Sequence, residues 1–82
     1  MNILFFASLR ERLSTDEEHW ADLQGAQTTS DVLQILKQRG EPWASTLDGE
    51  RILVSVNQEV ASLDTPIDID DELAFYPPVT GG

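Results

Sequence analysis

One segment limits what the rest of this chain can become. Residues 28–39, from Thr28 to Arg39, carry the strongest helical pattern in the sequence. Val32, Leu33, Ile35 and Leu36 form an apolar stripe at helical spacing. Thr29 or Ser30 is expected to cap the start, and Asp31 stands in the first turn, where the positive end of the helix dipole favours an acid. Lys37 and Arg39 stand at the opposite end, and Gly40 is expected to stop the helix in a left-handed conformation. A single apolar stripe must be covered by another layer, and most of the remaining apolar runs read as strands.

Asn2 to Ala7 reads as the first strand, with Ile3, Phe5 and Ala7 on one face and Leu4 and Phe6 on the other. A helical turn over Ser8–Leu13 follows, with Ser8 as its expected cap and Leu9 and Leu13 inward. Ser14–Asp16 turns the chain. Glu17–Leu23 is then expected as an exposed second strand antiparallel to the first, with Glu18, Trp20 and Asp22 as its solvated face. Beyond the helix, Glu41–Leu47 reads as a short second helix and Asp48-Gly49 as a turn. Arg51–Val56 is the third strand, with Ile52, Val54 and Val56 on one face, and Asn57-Gln58 turns it into the short return strand Glu59–Ala61. Pro66–Asp71 is an irregular acidic link to the last strand, Leu73–Tyr76. Strand, strand, helix, strand, short strand, strand predicts an α+β domain with one main helix packed across one face of the sheet.

At 82 residues the chain is one small domain, of a size that buries roughly 60–65% of its unfolded surface. It contains no cysteine, so disulfides, thiolate metal sites and thiol nucleophiles are excluded. Its net charge of −10 makes nucleic acid and anionic membranes poor partners and a basic protein face a good one. No run approaches the roughly 20 apolar residues of a membrane span, and the first residues lack a signal-peptide pattern, so a cytoplasmic protein is expected. His19, the single histidine, stands among acids with no nucleophile beside it. The run Asp68, Asp70, Asp71, Glu72 lacks the odd-position ligands and central glycine of a calcium loop and reads as a solvated turn; no metal is expected. Trp20 and Trp43 stand in acidic surroundings that suit no nucleic-acid platform. The body of the chain therefore offers no active site.

The C-terminus differs from the body. Pro77 and Pro78 stiffen the backbone and withdraw two N–H donors, so no sheet can continue. Val79-Thr80-Gly81-Gly82 follows, and the terminal carboxylate of Gly82 is the one unusual group. A carboxylate is a poor electrophile until it is activated, for example as an acyl-adenylate. Glycine has no Cβ and passes narrow channels in any conformation. Four residues reach about 13 Å when extended, far enough to place a terminus deep inside another protein. Residues 1–76 are thus expected as the folded domain and 77–82 as a flexible tail.

The ending Phe75-Tyr76-Pro77-Pro78-Val79-Thr80-Gly81-Gly82 resembles the small, sulfur-carrying subunit family of molybdopterin synthase, the MoaD family. The opening Ile3-Leu4-Phe5-Phe6-Ala7 with Leu9-Arg10-Glu11 is similar to the start of that family, as are Val56-Asn57-Gln58 and Asp71-Glu72-Leu73-Ala74-Phe75. Residues 20–47 match only in pattern, and Asp70 stands where the family often has Gly. The resemblance implies a ubiquitin-like β-grasp fold with a mixed sheet of about five strands.

It also implies a cycle. An E1-like, MoeB-like enzyme adenylates Gly82 with ATP, making this a protein that uses a nucleotide through its partner and binds no cofactor itself. A persulfide-derived sulfur displaces AMP, leaving a thiocarboxylate at Gly82. The tail, Pro77, Pro78, Val79, Thr80 and Gly81, enters a large MoaE-like subunit within a heterotetramer. There the sulfur attacks cyclic pyranopterin monophosphate, and two transfers build the dithiolene of molybdopterin. The chain would be a non-catalytic sulfur donor, with the catalytic residues on the large subunit. Sulfur carriers for thiamine synthesis or tRNA thiolation, a ubiquitin-like modifier of lysines, and a plain binding module remain alternatives. If Ile3, Phe5, Leu73 and Phe75 face the helix, then Leu4, Phe6, Ala74 and Tyr76 share the other face of the sheet and are expected to form the partner-binding patch.

Overall fold

The computed structural model describes residues 1–48 and 52–78. The alternating apolar residues of Asn2–Phe5 (β1) and Glu72–Tyr76 (β5) place these strands side by side and parallel, with Ile3 opposite Leu73 and Phe5 opposite Phe75. All four side chains are almost completely buried. Leu53–Val56 (β3) pairs antiparallel with the other edge of β5, and Glu59–Ala61 (β4) pairs antiparallel with β3. Glu17–His19 (β2) pairs antiparallel with β1. The result is a mixed five-stranded sheet in the order β2-β1-β5-β3-β4, with the last strand of the chain at its centre. This is the β-grasp arrangement that the resemblance implies.

Thr29–Lys37 (α2) covers the inner face with Val32, Leu33 and Leu36. Two short helices join it: Ala7–Leu13 (α1), which buries Leu9 and Leu13, and Trp43–Leu47 (α3), which buries Leu47. The core is one apolar cluster, and at its centre the Phe5 ring stacks on Phe75 at 6.1 Å and meets Trp43 edge-on at 5.6 Å. None of the helices among the described residues is long and apolar enough to cross a membrane.

Several local expectations need correction. The first strand ends at Phe5, and α1 starts behind Phe6 with no side-chain cap, so Ser8 is inside the helix. The cap of α2 is Thr28, one residue before the expected Thr29 or Ser30. The Thr28 hydroxyl accepts from the Asp31 N–H, and the Asp31 carboxylate accepts from the N–H groups of Thr28 at 3.1 Å and Gln27 at 2.8 Å. The Thr29 hydroxyl and N–H are instead donated to Ser62 and Thr65 carbonyls, which tie the helix start to the link after β4. The helix ends at Lys37, not Arg39, although Gly40 does take a left-handed φ of +89°. The Asp48-Gly49 turn lies only partly within the described residues, and Arg51 lies outside them.

The largest correction is Trp20. It is only 4% exposed and does not lie on a solvated face. Register explains this: Glu18 stands opposite Ile3, so the Glu18 side of β2 is the inner side of the sheet. The strand stops after His19, the Trp20 N–H donates to the Met1 carbonyl, and the indole turns inward with its N–H on Glu18. Glu18 also accepts both guanidinium arms of Arg39 at 2.7 and 2.6 Å, and Arg39 lies over the Trp43 ring at 4.5 Å. An exposed-looking acid is thus the edge of a clasp between β2, the segment after α2, and α3.

Two predictions follow from this local chemistry. Hydrogen bonds from the Gln27 and Thr28 N–H groups hold the Asp31 carboxyl below its usual range, and the Arg39 guanidinium does the same for Glu18. Both folded-state values lie below the unfolded ones. The stability they add is therefore complete above the ordinary carboxylate pKa and is lost as pH falls through the lowered values. Asp31→Asn is expected to melt below the wild type at neutral pH, with the gap closing as pH drops below about 4; melting curves across that range decide it. The β3–β4 turn provides the second. Asn57 and Gln58 have φ of +53° and +69°, the pair of left-handed residues of a type I′ hairpin. Asn tolerates this, but Gln bears the left-handed cost of about 1–2 kcal/mol. After the looser unfolded chain of a glycine is subtracted, Gln58→Gly should stabilise the fold by about 0.5–1 kcal/mol, raising Tm by about 4 °C.

Candidate functional site

The central strand β5 delivers the chain to its C-terminal segment. It ends at Tyr76, and Pro77 and Pro78 follow, both half-buried. Val79, Thr80, Gly81 and Gly82 lie outside the described residues. The described residues therefore show the start of the C-terminal segment and the sheet face around it.

That face is built by register. Leu4, Ala74 and Ser55 stand opposite one another across β1, β5 and β3, and Val60 on β4 completes the row. Tyr76 and Leu53 form the next row, at the tail end. Phe6, one residue past β1, stacks on Tyr76 with ring centroids 4.8 Å apart and planes within 5°. The Tyr76 hydroxyl lies 3.3 Å from the Ser55 hydroxyl. The exposed large apolar side chains among the described residues all lie on this face: Phe6 is 37% exposed, Leu53 47% and Val60 97%. Leu53, Ser55, Gln58, Val60 and Tyr76 line a shallow groove of about 220 Å³. At the opposite end of the same face, the row Glu72, Asn2 and His19 is polar. The open face thus grades from apolar at the tail end to polar at the far end.

Of the four residues expected in the patch, Phe6 and Tyr76 form its aromatic centre and Leu4 is half-buried beside them. Ala74 is on the expected face but is only 3% exposed. A methyl group between Leu4 and Ser55 lies below the level of its neighbours, so it forms the floor and not the contact surface. Leu53 and Val60 were absent from the expected patch. Their signal was present: Leu53 is out of phase with Ile52, Val54 and Val56, and Val60 is an apolar residue in a strand too short to bury it. His19 is exposed, with Nδ1 2.7 Å from Asn2 Oδ1, and no nucleophile joins it. Asp71 accepts from the Asp68 N–H at 2.7 Å and from the Asn57 amide at 2.9 Å, so the acidic run closes a turn onto the hairpin.

Phe6 and Tyr76 thus form a stacked, partly exposed aromatic pair where the sheet meets the C-terminal segment. The comparisons with known proteins concern the family and the fold. Residues 3–82 match the ThiS family. A molybdopterin synthase sulfur carrier subunit of Haemophilus influenzae is 39% identical over all of this chain and 99% of its own length. Another of the same name, from Escherichia coli, is 40% identical over all of this chain and 99% of its own length. Among solved structures, small archaeal modifier protein 1 of H. volcanii superposes with a TM-score of 0.68 at 30% identity, covering 96% of this chain and 97% of that one. A complex of subunits 1 and 2 of the molybdopterin-converting factor of Helicobacter pylori contributes a chain with a TM-score of 0.61 at 21% identity, covering 99% of this chain and 96% of that one, and shares its fold. A family match across nearly the whole length, a β-grasp sheet and a terminal Gly-Gly coincide in one chain, which belongs to the ThiS family.

Proposed function

We propose that this chain is the sulfur carrier subunit of a molybdopterin synthase, working in the cytoplasm. The observation that carries this reading is identity of 39% and 40%, over the full length of this chain, to two proteins of that name. The chain's own chemistry supports it. It has no cysteine, so a carried sulfur must ride on a carbonyl, and Gly82 supplies the terminal one. Adenylation of Gly82 by an E1-like partner with ATP makes the acyl carbon electrophilic. The outer sulfur of an enzyme-bound persulfide attacks the acyl carbon and expels AMP, leaving an acyl disulfide; a second thiol then reduces its S–S bond, forming a disulfide with the donor's sulfur and releasing the thiocarboxylate. Its sulfur is soft and largely anionic near neutral pH, and it serves as the nucleophile toward the pterin precursor.

The folded domain supplies position. The apolar end of the open face, with Phe6, Tyr76, Leu53 and Val60, docks on the large subunit while residues 77–82 enter that subunit's active site. The catalytic residues belong to the large subunit, and two copies of each chain form the assembly. A carboxylate-rich carrier suits partners with a basic rim.

Intact mass tests the reading. After incubation with the cognate adenylating enzyme, ATP and a sulfur source, one oxygen is exchanged for one sulfur at Gly82. No exchange with an active enzyme sinks the proposal. The second reading, conjugation to lysines, is not favoured beside two full-length relatives named sulfur carrier subunits. Lysine adducts of Gly82 in cell extract, with no thiocarboxylate, would favour that alternative.

A further inference from the structure

Ala7 has a feature that the carrier chemistry does not use. It is an exposed alanine with φ of +53°, at the junction between β1 and α1. Left-handed backbone is unfavourable for alanine and natural for glycine. Strain of this kind persists only where the surroundings over-determine it, and it concentrates at functional positions.

The surroundings are visible. The Phe6 N–H donates to the Phe75 carbonyl at 3.2 Å, which extends the β1–β5 ladder by one residue. The Phe6 carbonyl accepts from the Leu9 N–H at 3.1 Å, which starts α1. Leu9 and Leu13 must then reach the inner face of the sheet, while the Phe6 ring stays on the open face against Tyr76. One left-handed residue reverses the chain fast enough to meet both demands. Glycine would do so without strain, but it would also let the preceding backbone sample other directions.

We infer that Ala7 is a positioning residue: its left-handed turn locks the Phe6 ring flat on Tyr76, so the aromatic pair is already ordered before a partner arrives. This deepens the docking reading above and rests on it. A preordered pair avoids the loss of side-chain freedom on binding. Ala7→Gly keeps the fold, because glycine adopts this φ freely, but it releases the ring. Ala7→Asn keeps both, because asparagine tolerates the left-handed region better than other side chains.

The test has two arms. In the isolated carrier, proton NMR reads ring-current shifts and cross-ring contacts between Phe6 and Tyr76. Ala7→Gly should weaken them with Tm unchanged or raised, and Ala7→Asn should preserve them. In titrations against the large synthase subunit, Ala7→Gly should bind about 3- to 10-fold more weakly, the cost of ordering one side chain at an interface, and Ala7→Asn should bind like the wild type. Unaltered ring contacts in Ala7→Gly overturn the positioning role, as does wild-type affinity with weakened contacts. Phe6→Ala is run in parallel: if it binds like the wild type, the docking reading fails, while the NMR arm still decides what Ala7 does to the ring.

Discussion

Deletion of Gly82 is expected to abolish sulfur transfer and leave the melting temperature unchanged. The two outcomes separate because the folded domain and the reactive group occupy different parts of the chain. Among the described residues, the last fully buried side chain is Phe75 and the last strand ends at Tyr76. The reactive carboxylate, however, would move to Gly81 and end about 3.3 Å short of its place in the partner's active site. A displacement of about 1 Å can cost roughly 100-fold in rate, so turnover in a reconstituted synthase should fall at least 1,000-fold, to background. Gly82→Ala separates reach from bulk. It preserves length but adds a Cβ, and it should be adenylated and thiolated more slowly while remaining measurable. Wild-type turnover by the deletion variant would remove Gly82 from the mechanism.

Phe6→Asp is expected to break the complex with the large subunit while sparing the fold. Phe6 lies past the end of β1 and is 37% exposed, so a carboxylate there meets water in the free chain. In a complex the same carboxylate would be buried against an apolar surface without a partner charge. Interface aromatics are worth about 2–4 kcal/mol on truncation, which is roughly 30- to 1,000-fold in Kd, and a buried unpaired charge adds to this. Calorimetric titration gives the affinity, and thermal melting should shift by no more than the few degrees of an ordinary surface substitution. Tyr76 is coupled to Phe6 through the 4.8 Å stack. A double-mutant cycle with Phe6→Ala and Tyr76→Ala should therefore be non-additive by about 0.5–1.5 kcal/mol. Wild-type affinity of Phe6→Asp would show that the partner docks elsewhere.

Much of this layout was legible in the residues because local patterns governed it. The alternation of Ile3 and Phe5, and of Leu73 and Phe75, identified the buried face of β1 and β5. The stripe of Val32, Leu33 and Leu36 identified α2. Asn57-Gln58 marked a hairpin even without glycine. The misreadings arose where a neighbour distant in sequence decided. Trp20 looked solvated because acids surround it in sequence, but pairing of Glu18 with Ile3 turned that side inward. Ala74 looked exposed because alternation reports direction and not depth, and its neighbours are larger. Thr28 displaced Thr29 as the cap because the link at Ser62–Thr65 claims the Thr29 donors.

The division has a physical basis. Backbone periodicity, capping chemistry and the proline stop at Pro77-Pro78 act over a few residues, so the sequence alone determined which segments are strands and helices. It also gave the expectation that chemistry belongs to the Gly-Gly end and not to the body. Register across the sheet is a property of paired strands, and only the tertiary structure decided it. It placed the last strand at the centre of the sheet, laid Phe6 on Tyr76 and brought Leu53 and Val60 beside them. The expectation of a reactive C-terminus came from local sequence; the surface around Tyr76 exists only because strands far apart in the chain meet.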